Sequence, residues 1–373
     1  MHVALMPKQT KHVIPTPYLQ QTAYWSRLKQ KHGRITKAFD IIADTPGSGL
    51  KAESAKHANL DGDVLVIIRN LAPAAYMAYV PFGPELLPDQ EMRGPWLEEI
   101  SEQMRPYLPD NCIFIRYDLP WRSPWADEPD RYNENNWWMG PPKTRVQEMR
   151  MNYDTQYWNL RKAPTDLLPP DTVLVDVNLD RDRILARMKS KTRYNIGLSK
   201  RKGVQVRDAG IEGLPAWYAL YCQTTMRHEM DTSGMDYFAA ALKVSDQDCD
   251  SPAQIKLLLA EVNGRAVAGI MLAISGNRAT YLYGASSSNP EDRPYMASYA
   301  LQWEAICRAR MGGCMDYDMF GVSPSPTPTH PMYGLYRFKT GFGGRMQHRQ
   351  GCWDYPLDPA RYDLYQVSER MNP

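Results

Sequence analysis

One lysine, Lys339, stands between Phe338 and Phe342 in the string Gly334-Leu335-Tyr336-Arg337-Phe338-Lys339-Thr340-Gly341-Phe342-Gly343-Gly344, and three glycines follow it within five residues. A cation fixed by aromatic packing, beside backbone that only glycine lets approach closely, suits a site where negative charge must be held. The same string also reads as a strand with a solvated lysine that ends in a glycine turn. Both readings are open on the string alone.

A second reactive candidate is Asp118, which closes the apolar run Phe114-Ile115-Arg116-Tyr117-Asp118. A carboxylate there has the chemistry of a general base, and it equally suits a helix cap or a partner for Arg116. The third feature is electrostatic. From Arg183 to Arg207 there are nine Lys or Arg residues and no Asp or Glu. Leu185, Met188, Thr192 and Ile196 fall on one helical face, and Arg183, Arg187 and Lys191 on another. The spacing predicts one amphipathic basic helix running into Lys200-Arg201-Lys202-Gly203, with Tyr194 and Asn195 among the charges. Such stretches are commonly solvated faces. In a chain of net charge +2 the one-sidedness favours phosphate contact, with RNA or a diphosphate as target. A smaller cluster, Arg27, Lys29, Lys31, Arg34 and Lys37, follows an apolar stripe of Tyr24, Trp25 and Leu28. By itself it is an ordinary surface helix.

Other chemistries find no support. The six cysteines are scattered, without a C-x-x-C pair, and with seven dispersed histidines they offer no zinc spacing. Reduced, buried thiols in a cytosolic protein account for them most simply. Neither a catalytic Ser-His-Asp set, a G-x-S-x-G elbow nor a phosphate-binding G-x-x-x-x-G-K-[ST] loop is present. The glycine loop with which acetyl-CoA N-acetyltransferases cradle a pyrophosphate is also missing, since Ser286 to Tyr295 contains no glycine. The N-terminus lacks a signal-peptide pattern. The charge-free apolar stretch Ala266 to Asn277 is far short of the ~20 residues of a spanning helix. The expectation is a soluble protein that can still touch a membrane surface.

These candidates need elements to hold them. At 373 residues, two domains are the natural expectation. In the second half, Ile255–Val262 and Ala266–Ile274 are β-rich runs joined by Asn263-Gly264, a hairpin signal, and Ala279–Gly284 forms a third strand. Met296, Ala300, Trp303 and Cys307 recur at helical spacing, and Gly312-Gly313 stops that helix. Met315 to Met319 alternates like a strand. Upstream, Leu214 to Cys222 and Tyr237 to Leu242 mark two helices. The first half repeats this order more faintly: strands Val64–Arg69 and Ala75–Val80, a helix Trp96–Met104 and a strand Cys112–Asp118. Tyr117-Asp118 ends one strand and Tyr317-Asp318 its counterpart, as duplication of one α+β topology would produce. Between the halves, Leu119 to Pro170 is too rich in Pro, Trp and Tyr for a free linker, and reads as a structured connection partly lining a cleft between domains. Ser323 to Pro331 reads as a functional loop or a stiff spacer.

Taken together, the strings Thr22-Ala23-Tyr24-Trp25-Ser26-Arg27-Leu28-Lys29, Pro169-Pro170-Asp171-Thr172-Val173-Leu174-Val175-Asp176 and Met188-Lys189-Ser190-Lys191-Thr192-Arg193-Tyr194-Asn195-Ile196 resemble the Fem (FemABX) peptidoglycan aminoacyltransferases, also called lipid II:glycine glycyltransferases. Tyr281-Leu282-Tyr283-Gly284-Ala285-Ser286, Leu301-Gln302-Trp303-Glu304-Ala305-Ile306 and Gly334 to Gly344 complete a collinear set from residue 18 to about 353. Residues 33 to 110 match only in pattern.

The resemblance implies an α+β fold of two N-acetyltransferase-like (GNAT-like) domains in tandem. The first covers 1–168 and is completed by 350–373; the second covers 169–349. It implies transfer of Gly, Ala or Ser from aminoacyl-tRNA to a stem-peptide amine of a peptidoglycan precursor, with no cofactor and no metal, because the tRNA ester is already activated. By this resemblance Lys339 serves the tRNA end and the transition state, with Phe338 as its aromatic neighbour. Lys29 binds the precursor's diphosphate region, Tyr237 and Tyr283 line the precursor site, and Asp118 falls where a base was considered. Arg187, Lys191, Arg193, Lys200 and Arg201 are the expected tRNA contacts. Where a related member carries a precursor-binding arginine this chain has Ser233, with Arg227 or Arg193 as substitutes. That leaves open whether the precursor is lipid II or soluble UDP-MurNAc-pentapeptide, and so whether this cytoplasmic protein works at the inner face of the membrane. The long coiled-coil arm of some members is missing, since Lys202-Gly203 passes straight into Val204-Gln205-Val206. An acyl-CoA-dependent N-acyltransferase of the same fold, or a non-catalytic RNA-binding protein, are the rival readings.

Overall fold

The computed structural model describes residues 2–44, 60–229, 231–244 and 248–371. In chain order the first half forms β1 (His2–Lys8), α1 (Ala23–Lys31), β2 (Ile35–Asp44), β3 (Leu60–Ala72), β4 (Ala75–Val80), α2 (Arg93–Met104), β5 (Cys112–Arg122), α3 (Thr144–Met151) and β6 (Arg161–Lys162). The second half forms β7 (Asp171–Asp176), α4 (Arg181–Arg187), α5 (Ser190–Arg201), β8 (Gln205–Asp208), α6 (Leu214–Arg227), α7 (Met235–Lys243), β9 (Ala253–Val262), β10 (Arg265–Ser275), β11 (Arg278–Ser286), α8 (Ala297–Met311), β12 (Asp316–Gly321), α9 (Tyr333–Thr340), β13 (Arg345–Pro356) and α10 (Pro359–Met371).

The echo between the halves is a repeated module. Three antiparallel strands (β2–β4, then β9–β11) lead into a helix (α2, then α8), and the next strand runs parallel to the third (β5 on β4, β12 on β11). The local signals for these elements hold. Asn263 and Gly264 both take positive φ, 50° and 74°, as the tight turn between β9 and β10 requires. Tyr117 and Tyr317 are both fully buried, and each hydroxyl reaches back to its module's helix, to Ser101 Oγ at 2.8 Å and to Gln302 Oε1 at 2.6 Å. A buried phenol needs such a partner, so the same residue pair solves the same packing problem twice.

One strand fuses the modules. β13 pairs with β7 through residues 345–348 and with β5 through residues 349–356, which yields a continuous sheet ordered β1-β2-β3-β4-β5-β13-β7-β12-β11-β10-β9-β8. Each module has its own apolar core, one around Trp96, Leu97 and Ile100 on α2, the other around Leu301, Ala305 and Ile306 on α8. A third cluster joins them: Tyr24, Trp25 and Leu28 on α1, as their stripe predicts, pack with Leu65 and Ile67 and reach Ala241, Ala253 and Ala273 of the second module. The connection 119–170 is structured as expected, and its Trp138 is buried against the His348 ring.

Two local expectations fail. The basic stretch is not one helix: α4 and α5 are separated at Met188 and Lys189, both in extended backbone (ψ 150° and 145°). The Lys189 N–H instead donates to the Gly341 carbonyl at 2.9 Å. Gly334 to Gly344 does not contain a strand, because Tyr333–Thr340 is helical. Its glycines do let backbone approach closely, but the neighbour is the α4–α5 junction. Gly343 has φ +77°, and a Cβ there would strike the Arg187 carbonyl. The thiols divide: Cys112, Cys314 and Cys352 are buried, while Cys222, Cys249 and Cys307 are partly exposed.

Candidate functional site

Where α1 and α7 meet across the inter-module cluster lies a cavity of about 500 Å³. Lys29, Tyr237 and Tyr283, three residues far apart in sequence, come together on its wall. Lys29 Nζ sits 4.3 Å from the Trp25 ring centroid and 5.1 Å from that of Tyr237, and donates to the Tyr237 hydroxyl at 3.3 Å. The Tyr237 and Tyr283 hydroxyls are 3.4 Å apart. A β-bulge aims Tyr283: the β10–β11 register shifts between Met271 and Leu272, so Leu282 is extra and Tyr281 and Tyr283 face different neighbours. Burial, with repulsion from Arg69 and Arg34, lowers Lys29 to about 8. Three cations around one half-enclosed cavity favour an anionic ligand, which would restore the lysine's charge.

Arg34 and Arg69 were missed as site residues. Arg34 belongs to the basic cluster on and after α1 and is placed locally, its N–H donating to the Lys29 carbonyl at 3.1 Å. Arg69, by contrast, is one charge at the end of an apolar strand and reaches this wall only through the pairing of β2 with β3. The residue proposed in that role, Arg227, lies elsewhere: its guanidinium bonds Ser286 and Ser288 Oγ at 3.1 Å each and lines a separate cavity of about 280 Å³ at the start of α8. Arg193 does not reach the first cavity's wall either. It donates to the Met188 carbonyl at the end of α4, where its charge suits the helix C-terminus.

Lys339 is buried, 4% exposed, at the point where the second module opens. β11 and β12 pair only through Arg278–Thr280 and Asp316–Asp318 before diverging. Into that wedge the Lys339 ammonium donates to the carbonyls of Gly321 (2.6 Å) and Phe320 (3.3 Å), 5.1 Å from the Tyr281 ring centroid. Phe320 has φ 59°, rare for a bulky residue, and this bend turns its carbonyl into the wedge. The solvated-strand reading is therefore wrong, and the aromatic-clamp reading needs amending. Phe338 and Phe342 pack on each other and on Tyr299, while Tyr281 and two carbonyls hold the cation. Burial lowers Lys339 to about 7, with Asp318 opposing. Burial would raise Asp318, yet Arg349 and Arg278 overcome it and hold that carboxylate below its usual range. Phe320 also lines the Lys29 cavity, so the two cations serve adjoining spaces.

Asp118 is not at a strand end: β5 runs on to Arg122, and the side chain is wholly buried. Its Oδ2 accepts from the Tyr79 hydroxyl and the Leu168 N–H, both at 3.0 Å. Arg116 turns away to Asp354 and Glu369, so the expected Arg116 partnership does not form. Burial and the neighbouring Asp166 raise Asp118 to about 7. The carboxylate is not on the cavity wall, but Tyr79 is. The Tyr79 phenol thus links Asp118 to the cavity by a hydrogen bond.

The remaining basic residues lie outside the cavity. Lys191, Lys200 and Arg201 are exposed on α5, whereas Arg187 forms an ion pair with Asp176 at 3.0 Å. Arg201 sits 5.6 Å from the Tyr194 ring centroid, itself 60% exposed. Triple substitution of Lys191, Lys200 and Arg201 by Glu is expected to lower affinity for RNA at least tenfold and to flatten its salt dependence, read by filter binding at several salt concentrations. Unchanged affinity would make α5 a solvated face.

The fold is shared with a crystal structure of FemX, which superposes with a TM-score of 0.69 at 16% identity, over 97% of this chain and 99% of that one. It therefore consists of two GNAT-like modules in tandem. In sequence the chain is 33% identical over 117 residues to the lipid II:glycine glycyltransferase of Staphylococcus haemolyticus, and 33% over 110 residues to that of Staphylococcus aureus (strain COL). The matched stretches cover 31% and 30% of this chain but only 27% and 25% of those relatives' lengths. The profile of the FemAB family extends much further, over residues 15–264 and 253–370. This chain belongs to the FemAB family.

Proposed function

We propose that the protein is an aminoacyltransferase that moves an amino acid from aminoacyl-tRNA to a stem-peptide amine of a peptidoglycan precursor. The observation that carries this reading is the adjacency of two lysines, Lys29 half-buried on the cavity wall and Lys339 buried. Lys29 stands in a tri-cationic cavity suited to a diphosphate, and Lys339 in the strand wedge next to it. The relatives named lipid II:glycine glycyltransferase support a peptidoglycan acceptor and make glycine the first donor to test.

The chemistry needs little beyond positioning. The amine attacks the ester carbonyl, a C–N bond forms, and the C–O bond to the tRNA ribose breaks. Two of the three Lys339 N–H groups are engaged by the Phe320 and Gly321 carbonyls, which fixes the direction of the third. That donor stabilises the tetrahedral oxyanion from a buried position, where a charge–dipole interaction is strong. The proton lost by the amine passes through the Tyr79 hydroxyl to Asp118 and returns by the same route to the departing ribose oxygen, which leaves as the tRNA hydroxyl.

The test is to supply labelled glycyl-, alanyl- and seryl-tRNA with lipid II and with UDP-MurNAc-pentapeptide. Failure of every pair would sink the proposal, and success with one chooses donor and acceptor. With that assay in hand, Lys29→Met is expected to raise KM for the precursor about tenfold or more with kcat nearly unchanged, because a diphosphate contact is equal in ground and transition states. A fall in kcat at constant KM would remove Lys29 from the binding role.

A further inference from the structure

The bend at Phe320 is held from both ends of its peptide. Its φ of 59° is a conformation that a bulky residue keeps only where its neighbours impose it. The Phe320 carbonyl accepts from the Lys339 ammonium, and the Phe320 N–H donates to Asp318 Oδ1 at 2.8 Å. One carboxylate two residues upstream therefore closes the turn that aims the lysine's acceptor. Asp318 is fixed in its turn. The Thr172 hydroxyl also donates to Oδ1, and Arg349 Nη2 donates to Oδ2 at 3.0 Å. Both members of this ion pair are buried, with side chains 4% and 1% exposed. Burial opposes the charge on Asp318, but Arg349 and Arg278 keep the carboxylate ionised.

Arg349 belongs to the strand that joins the modules. It stands where β13 leaves β7, whose pairing ends at His348, and takes up β5, with a register shift between Arg349 and Gly351. Its guanidinium lies 4.7 Å from the ring centroid of Phe82, in the segment after β4, and that ring meets the Phe320 ring edge-on at 6.2 Å. A buried ion pair adds little stability over apolar residues of the same volume, so what it contributes here is a fixed arrangement. We propose that Arg349 and Asp318 are positioning residues for the transfer reaction. They lock the Phe320 bend and with it the direction in which Lys339 presents its remaining N–H. Neither touches the reacting atoms, and the lysine's aim comes to depend on the strand that fuses the two modules. This rests on the aminoacyltransferase reading and names two residues that serve its oxyanion donor.

Two readouts separate it from the parent reading. In the transfer assay, Asp318→Asn and Arg349→Met should each lower kcat about twentyfold or more, with KM for donor and acceptor within about twofold of native. Arg349→Lys keeps the charge and should lose no more than about threefold. Added to Lys339→Met, neither Asp318→Asn nor Arg349→Met should lower the residual rate further, because the clamp acts only through that ammonium. Asp318→Asn is isosteric and carries the comparison if Arg349→Met unfolds in thermal melts. Independently of transfer, full-length protein labelled with [ε-13C]lysine is observed by NMR, the Lys339 signal being the one lost in Lys339→Met. Asp318→Asn and Arg349→Met should both shift that signal toward those of exposed lysines. Native kcat in these variants, or losses that multiply with that of Lys339→Met, overturn the clamp and leave the aminoacyltransferase reading standing. A shifted Lys339 signal in a protein that transfers nothing keeps the clamp and removes that reading, whereas neither shift nor transfer removes both.

Discussion

Lys339→Met should cut transfer by at least a hundredfold while the protein folds as well as the native chain. One oxyanion donor is worth about 10²–10³ in rate, and no nearby group duplicates this one. The stability half of the expectation follows from burial. An unfolded lysine keeps its proton to about 10.5, whereas folding lowers Lys339 to about 7. Between those values folding releases a proton, so the native protein gains stability as pH rises across that window. Below pH 7 the full cost of burying the charge is present, of order 4 kcal/mol. Methionine removes that cost and leaves the Phe320 and Gly321 carbonyls without a donor, a loss of about 1–3 kcal/mol each. The two effects nearly offset. Thermal melts at pH 6 and pH 9.5 should show the variant gaining on the native chain at the lower pH and losing that advantage at the higher one. Retained transfer would take the ammonium out of the mechanism, and a variant unfolded at both pH values would make it a structural residue.

For Asp118→Asn the expected outcome is a slower and, near neutrality, more stable enzyme. Here the sign is opposite. The unfolded carboxyl gives up its proton near 3.8, but burial beside Asp166 keeps it in the folded protein to about 7. Folding takes up a proton between those values, so native stability falls as pH rises from about 4 to 7, by up to about 4 kcal/mol. Asparagine escapes that loss. Its advantage in denaturant melts should grow across the window and level off above pH 7. The rate should drop at least tenfold, toward the low end for a general base because the proton travels through Tyr79. The limb of the pH–rate profile that rises through pH 7 should vanish with it. Wild-type turnover with an unchanged profile would mean that the amine loses its proton to water. Together the two residues place a trough of stability near pH 7 inside the proposed catalytic site, as groups tuned for the proposed reaction would.

Much of the architecture was legible because its signals are local. Asn263-Gly264 needs only its own backbone preferences to turn, and the spacing of Ala300, Trp303 and Cys307 followed by Gly312-Gly313 describes α8 without reference to anything distant, although Met296, expected inside it, is its left-handed N-cap. The repeated Tyr-Asp pair was readable as a duplication because both tyrosines face the same packing demand. The basic stretch shows where such reading stops. Its periodicity is helical throughout, yet Lys189 leaves the helix for a carbonyl of Gly341, a partner about 150 residues away that no window of sequence contains.

The sequence by itself determined which groups were available for chemistry: Lys339 among aromatics and glycines, Lys29 behind Trp25, two tyrosines, and a carboxylate on an apolar strand. Residue type and neighbours along the chain suffice for that. Tertiary structure alone decided what each group can do. It buried Lys339 in the wedge between diverging strands, set Arg69 beside Lys29, withdrew Asp118 behind Tyr79 and sent Arg227 to another cavity. Desolvation and approach distance set the charge state and reach of a side chain, and both depend on strands and helices that meet only when the chain has folded.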